Sequence, residues 1–320
     1  MSKLSEPLKQ LINAAHARPG PLSPPANIRS TYSRIAASAQ EQGVGLPAWV
    51  TISTAATITV NSPGSLVELF NLTQTLSSSS PSSSPSSLSS PPSSSSSSSS
   101  PVSTASPPPP PEIAGLIREV GLKCISFNGI PRTINCLAGF REGLPREIFD
   151  AIPTPPSRKI DSHNADQVVS RGRALWNSIY RPFETKLYDK LGQSHPNLPV
   201  HILAAHYGTL LSDPDSTPPP AVQVGRVLTS IVGIACLRAQ TGVAPQLISH
   251  VFGLRKAYED GTAEKAVEGG EWLATDEGNQ WILQVVDEIV YALTGGRGTT
   301  FAPGSGSGSN GGVGGVKPKL

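Results

Sequence analysis

Cysteine is scarce in this chain: Cys124, Cys136 and Cys236 are the only three in 320 residues. In sequence they form neither a close pair nor a metal-ligand spacing, and an odd count argues against a secreted disulfide framework. A reducing, intracellular compartment is expected. Charge is also sparse and nearly balanced, with 25 Lys and Arg against 23 Asp and Glu. The basic residues are scattered without runs, so no stripe can track a phosphate backbone and nucleic acid is not an expected partner. Long apolar runs are missing too. The most hydrophobic stretch, 227–237, is interrupted by Thr229 and Ser230 and closed by Arg238, well short of the roughly 20 residues that span a bilayer. No membrane span is expected, and nothing implies a cofactor.

Proline, glycine and serine are abundant instead. The 32 Pro, 30 Gly and a serine tract withdraw much of the chain from any core, leaving roughly 200 residues for one large helical fold. Residues 77–111 are almost wholly Ser and Pro. Such a tract buries too little apolar surface to offset the entropy of ordering it, so a disordered insertion is expected. The Gly/Ser-rich tail 296–320 is expected to be disordered as well. Residues 1–26 place Leu4, Leu8, Leu11 and Ile12 at helical spacing and then run into ARPGPLSPP, which reads as a disordered or weakly helical segment. Lys3, Lys9, His16 and Arg18 lend it a faint presequence character. The arginine density of a mitochondrial signal is lacking, so a cytoplasmic location is preferred.

Helical periodicity organises the rest. Residues 28–42 read as a helix ended by Gly43 and Gly45. The β-branched run 50–60 has strand propensity, but its length and alanines read as a buried helix. Ser62 can cap a helix with Pro63 at its first position. In RGRALWNSIYRPFETKLYDKLGQ, the residues Trp176, Ile179, Tyr180, Phe183, Leu187 and Leu191 fall on one helical face, with Gly192 as its stop. Near the C-terminus Thr275 or Asp276 caps a helix that Gly295 and Gly296 end.

The stretch TGVAPQLISHVFGLRK (241–256) carries the main candidate for chemistry. Pro245 pre-sets a first helical turn, Leu247, Val251 and Leu254 form a stripe, and His250 lies beside it. Gln246, Gly253 and Ala257 stand around His250 at helical spacings, and small residues there either admit a neighbouring helix or leave room for a ligand. The bland reading is a core histidine satisfied by hydrogen bonds. From Ala221 to Tyr258 there is no Asp or Glu, so no local carboxylate orients His250 as a base. The same grammar occurs earlier: Pro131, Gly139 and Arg141 match Pro245, Gly253 and Arg255 in spacing. An internal duplication follows, with Cys136 standing where His250 does. Cys136 lies near a helix start, where a thiol is less inert than Cys236 in its apolar run. Glu119 is the nearest acidic partner by position.

Metal binding is tested by His195, His201 and His206. Residues 201 and 206 stand about 140° apart on a regular helix, so one ion cannot easily take both, and zinc is not expected.

Taken together, the apolar helix, the turn and the histidine-bearing helix with its small-residue face resemble the alkyl hydroperoxidase D and carboxymuconolactone decarboxylase superfamily, and most closely an uncharacterised fungal branch of it. RGRALWNSIYRPFETKLYDKL and HPNLPVHILAAHYGTLLSDP match the helices expected before that hairpin. The resemblance implies an all-α helical bundle of two fused units, 27–152 and 160–295. It also implies an active site near the start of the hairpin's second helix. Peroxidase members carry Glu, eleven residues, then Cys-x-x-Cys-x-x-x-His, because a dithiol reduces peroxide and closes as a disulfide. With His250 as that histidine, the thiol positions fall on Val243 and Gln246 and the glutamate on Ile231. In the first copy Gly129 and Arg132 occupy the thiol positions. The dithiol is absent, so the expectation is a non-redox module that binds an unknown small molecule or protein through a retained pocket, with homo-oligomerisation left open. The alternative is a thiol-dependent peroxidase using Cys136 alone, with His250 or Glu119 as base.

Overall fold

The computed structural model describes residues 4–79, 108–214, 222–264 and 267–298. All its regular elements among these residues are helical. The first half comprises α1 (Glu6–Ile12), α2 (Ile28–Glu41), α3 (Leu46–Thr59), α4 (Pro63–Ser79), α5 (Pro110–Lys123), α6 (Ile125–Asn128), α7 (Ile130–Gly143) and α8 (Arg146–Ala151). The second comprises α9 (Ala165–Tyr180), α10 (Glu184–Ser194), α11 (Asn197–His201), a π-helical run π1 (Ile202–Leu211), α12 (Gly225–Gln240), α13 (Ala244–Glu259), α14 (Gly270–Leu273) and α15 (Asp276–Thr294). Helix α4 continues three residues into the Ser/Pro tract and α5 takes in its last two residues. Residues 80–107 of that tract and most of the glycine-rich tail lie outside the described residues.

Two helices that are buried nearly all round, α3 and α12, pack on each other at the centre. Burial settles the β-branched run of α3 as helix: every residue from Ala48 to Thr59 is inside, where packing outweighs strand propensity. Three of its hydroxyls are satisfied, while those of Ser53 and Thr54 are buried without a partner. Thr51 donates to the Pro47 carbonyl and Thr59 to that of Ala55, each at 2.7 Å, while Thr57 shares a 2.6 Å hydrogen bond with Tyr32. Around this pair lie α2, α4, α5 and α15 on the α3 side and α13 and α15 on the α12 side. One core takes Ile52, Ile117, Val232 and Ile289 from both expected units. A smaller core of Trp176, Ile179, Leu203, Tyr207 and Leu211 joins α9 to π1. There a Cβ at Gly172 would lie 2.6 Å from the Gly208 Cα, so both backbones need glycine to meet.

Several expected boundaries hold. Pro63 opens α4, Thr275 Oγ1 caps α15 by accepting from the Gly278 amide at 3.1 Å, and Gly295 closes α15 in the left-handed region. The single helix expected from Trp176 to Leu191 is instead two. Pro182 has no N–H to carry the ladder onward, so α9 ends at Tyr180, Phe183 is exposed and α10 runs past Gly192 to Ser194. The apolar side chains of the N-terminal helix, Leu8, Leu11 and Ile12, are all exposed.

Candidate functional site

His250 is held inside α13, 5 % exposed. Its ring meets Phe127 edge-on at 5.4 Å and Tyr180 at 6.3 Å between centroids. Its Nδ1 is buried with no hydrogen-bond partner, so it is not the satisfied core histidine of the bland reading. Burial, reinforced by the positive Arg226, pushes its pKa down to about 4. The ring is therefore neutral at physiological pH and a weak base.

The other expected site residues lie in separate surroundings. Cys136 on α7 is fully buried, with its thiol 3.9 Å from Asn61 Oδ1. Burial drives its pKa up to about 12 against the opposing pull of Arg132, so almost no thiolate exists near neutrality. Glu119 on α5 is engaged by Arg158 Nη2 at 2.8 Å. Among the expected pocket residues, Gln246 is exposed and Ala257 is buried in the main core. Gly253 accepts the close approach of α9, since a Cβ there would lie 2.8 Å from Ile179 Cγ2. Of the two readings for these small residues, helix approach is the one Gly253 serves.

A cleft of about 360 Å³ lies nearby between α9, the end of π1 and the start of α12, lined by Arg171, Ser178, Asp213, Arg226, Thr229 and Glu264 among others. Arg226 is its anchor. The guanidinium donates to Ser178 Oγ at 2.8 Å, the Ser178 carbonyl at 3.1 Å, the Gly253 carbonyl at 2.6 Å and Ser230 Oγ. Five N–H donors are available to an arginine, so one on Nη1 is left over. Burial lowers the Arg226 pKa to about 10, opposed by Glu264, and the group stays charged at neutral pH. Carboxylates complete the rim. Asp213 accepts from the Gly225 amide at 2.6 Å, and Glu264 accepts from the amides of Arg226 and Val227, the latter at 3.0 Å, capping α12. Thr229, one turn along α12 and 2 % exposed, keeps a buried hydroxyl with no partner. Sequence reasoning passed over Arg226 and Thr229 because they sit in a run read only for its hydrophobicity. The sole signal was a basic residue opening an otherwise apolar helix.

Behind the cleft lies a buried charge network. Lys123, fully buried at the end of α5, bonds Asp213 Oδ1 at 2.8 Å and the Leu211 carbonyl. Arg158 bridges Glu119 and Asp213 and donates to the carbonyls of Thr209 and Ser212 at 3.1 and 2.7 Å. Burial lowers the Lys123 pKa, with Asp213 opposing it. The cysteines also depart from the sequence reading: Cys124 and Cys236, distant in sequence, are a close pair in space. Their sulfurs stand 3.5 Å apart, both fully buried, and burial raises the Cys124 thiol well above its ordinary value.

The described residues thus define an all-helical bundle with a polar, arginine-anchored cleft, and none of their helices is long and apolar enough to cross a membrane. Peroxisomal protein 2 of Saccharomyces cerevisiae is 29 % identical over 177 residues, which cover 49 % of this chain and 60 % of that protein. The chain therefore matches less than two thirds of that relative's length. No family model and no solved structure matches.

Proposed function

We propose that the chain is a non-redox module that binds a small polar molecule in the Arg226 cleft, on a scaffold of the alkyl hydroperoxidase D and carboxymuconolactone decarboxylase type. The observation that carries this reading is the pairing of a buried guanidinium, with one donor to spare, and an unpartnered buried Thr229 hydroxyl on the same 360 Å³ cleft. Buried polar groups ordinarily find partners, and a ligand with an oxyanion or carbonyl and a hydroxyl would supply them. A thiol mechanism draws no support from a Cys136 whose pKa is raised to about 12. The scaffold assignment rests on the helical motifs of the sequence and the all-α architecture. The name of the yeast relative supports a peroxisomal address over a cytoplasmic one, to be checked by co-localisation of a fluorescent fusion with a peroxisomal marker.

The binding reading is tested by a thermal-shift screen of small carboxylates and hydroxylated metabolites against wild type, Ala174→Trp and Thr229→Val. Ala174 is an exposed residue on the cleft wall, so the tryptophan blocks access without entering a core. Compounds that stabilise wild type and lose that effect in both variants uphold the proposal. Stabilisation indifferent to both variants, or none from any compound, overturns it.

A further inference from the structure

Regular α geometry is abandoned where α11 gives way to π1. A π-helix bonds residue i to i+5 and so stacks residues five apart on successive turns. Here the Ser212 amide donates to the Tyr207 carbonyl at 3.0 Å and Thr209 Oγ1 to the Ala204 carbonyl at 3.1 Å, both five residues back. The separation that keeps His201 and His206 apart on an α-helix is thereby closed. Their rings stand edge-to-face with centroids 5.3 Å apart at 76°. Two imidazoles sharing one ion at metal–nitrogen distances of about 2.0–2.1 Å have centroids roughly 5 Å apart. The spacing is that of a ligating pair.

A second observation points the same way. His206 Nδ1 is buried and has no hydrogen-bond partner, whereas His201 is exposed and leaves the pair open to solvent. We propose that His201 and His206 form a two-histidine site for a divalent late transition-metal ion, with water completing the coordination. Imidazole suits nickel, copper and zinc, while calcium and magnesium prefer oxygen donors. No cluster of three or more His, Cys, Asp or Glu able to hold a metal occurs among the described residues, so this pair supplies two protein ligands. Neither histidine is among the residues that line the Arg226 cleft, and the site stands independently of the function proposed there.

The test is isothermal titration of the untagged full chain with NiCl₂ and ZnCl₂ near neutral pH, on wild type, His201→Gln, His206→Gln and His195→Gln. Wild type is expected to bind one equivalent. Each substitution in the pair should weaken binding by at least about tenfold, since one of two ligands is removed, and His195→Gln should leave it unchanged. Circular dichroism confirms folding; if His206→Gln misfolds, the exposed His201 variant decides alone. No saturable binding by wild type, full retention in His201→Gln, or equal loss in His195→Gln would overturn the assignment.

Discussion

Gly233 on α12 lies against the imidazole of His250 on α13, so closely that a Cβ at 233 would sit 2.5 Å from Nδ1 and 2.9 Å from Cε1. The absence of a side chain at one position is what gives the ring its place at the other. Gly233→Ala should therefore cost about 1–3 kcal/mol, the usual penalty for overpacking. In a Gly233→Ala/His250→Ala double variant that clash is gone, so the two effects should be clearly non-additive. Urea denaturation of the four proteins measures the coupling, and additive losses would show that the contact is not made.

A pH dependence follows from the same ring. The unfolded chain binds a proton at His250 near its ordinary value of 6.5, whereas the folded protein resists until about pH 4. Between those values the unfolded state holds more protons, so stability rises with pH there and is lost as pH falls from 6.5 toward 4. The full shift corresponds to about 3 kcal/mol. Comparing wild type with His250→Gln in thermal melts across this window should show a steeper acid loss for wild type. Parallel curves would count against a buried neutral histidine.

The bridge from Lys123 to Asp213 makes a different demand. Removing one partner of a buried pair leaves the other uncompensated, so Lys123→Ala should destabilise by about 3–5 kcal/mol. Lys123→Met/Asp213→Asn, which keeps the volume and discharges both groups, should recover a substantial part. Chemical denaturation midpoints decide between them.

Thiol access provides a fourth check. All three cysteines are free and buried, so an aromatic disulfide reagent at neutral pH should label none of them in the native protein and all three in denaturant. Rapid native labelling at Cys136 would reopen the single-thiol peroxidase mechanism.

Much of the architecture was legible because its signals are local. Pro63, Pro245 and Thr275 mark helix starts whatever surrounds them, and even α3 was read correctly despite its β-branched residues. What escaped depends on contacts distant in sequence or on a local geometry that the residues do not announce. Cys124 and Cys236 pair only once α5 and α12 have packed, and nothing beside Lys123 in the sequence points to its partner Asp213, far along the chain. His201 and His206 were set aside by an argument valid for α-helices, and nothing in ILAAHYGTLL announces a π-helix. The residues chosen for the candidate site illustrate the same limit. His250 lies in the interior, but Cys136 and Glu119, which the repeat in the sequence joins to it, have each found other partners in space.

The burial of α3 has a consequence for how the chain is made. Residues 46–59 leave the ribosome early, yet the surfaces that cover them on one side, α12 and α15, are encoded only at 225–294. During that interval a long apolar stripe waits unsheltered, the circumstance in which nascent chains aggregate or recruit chaperones. Release of the first half alone, by premature termination or proteolysis, should therefore yield an insoluble fragment. Successful expression depends on α15 arriving.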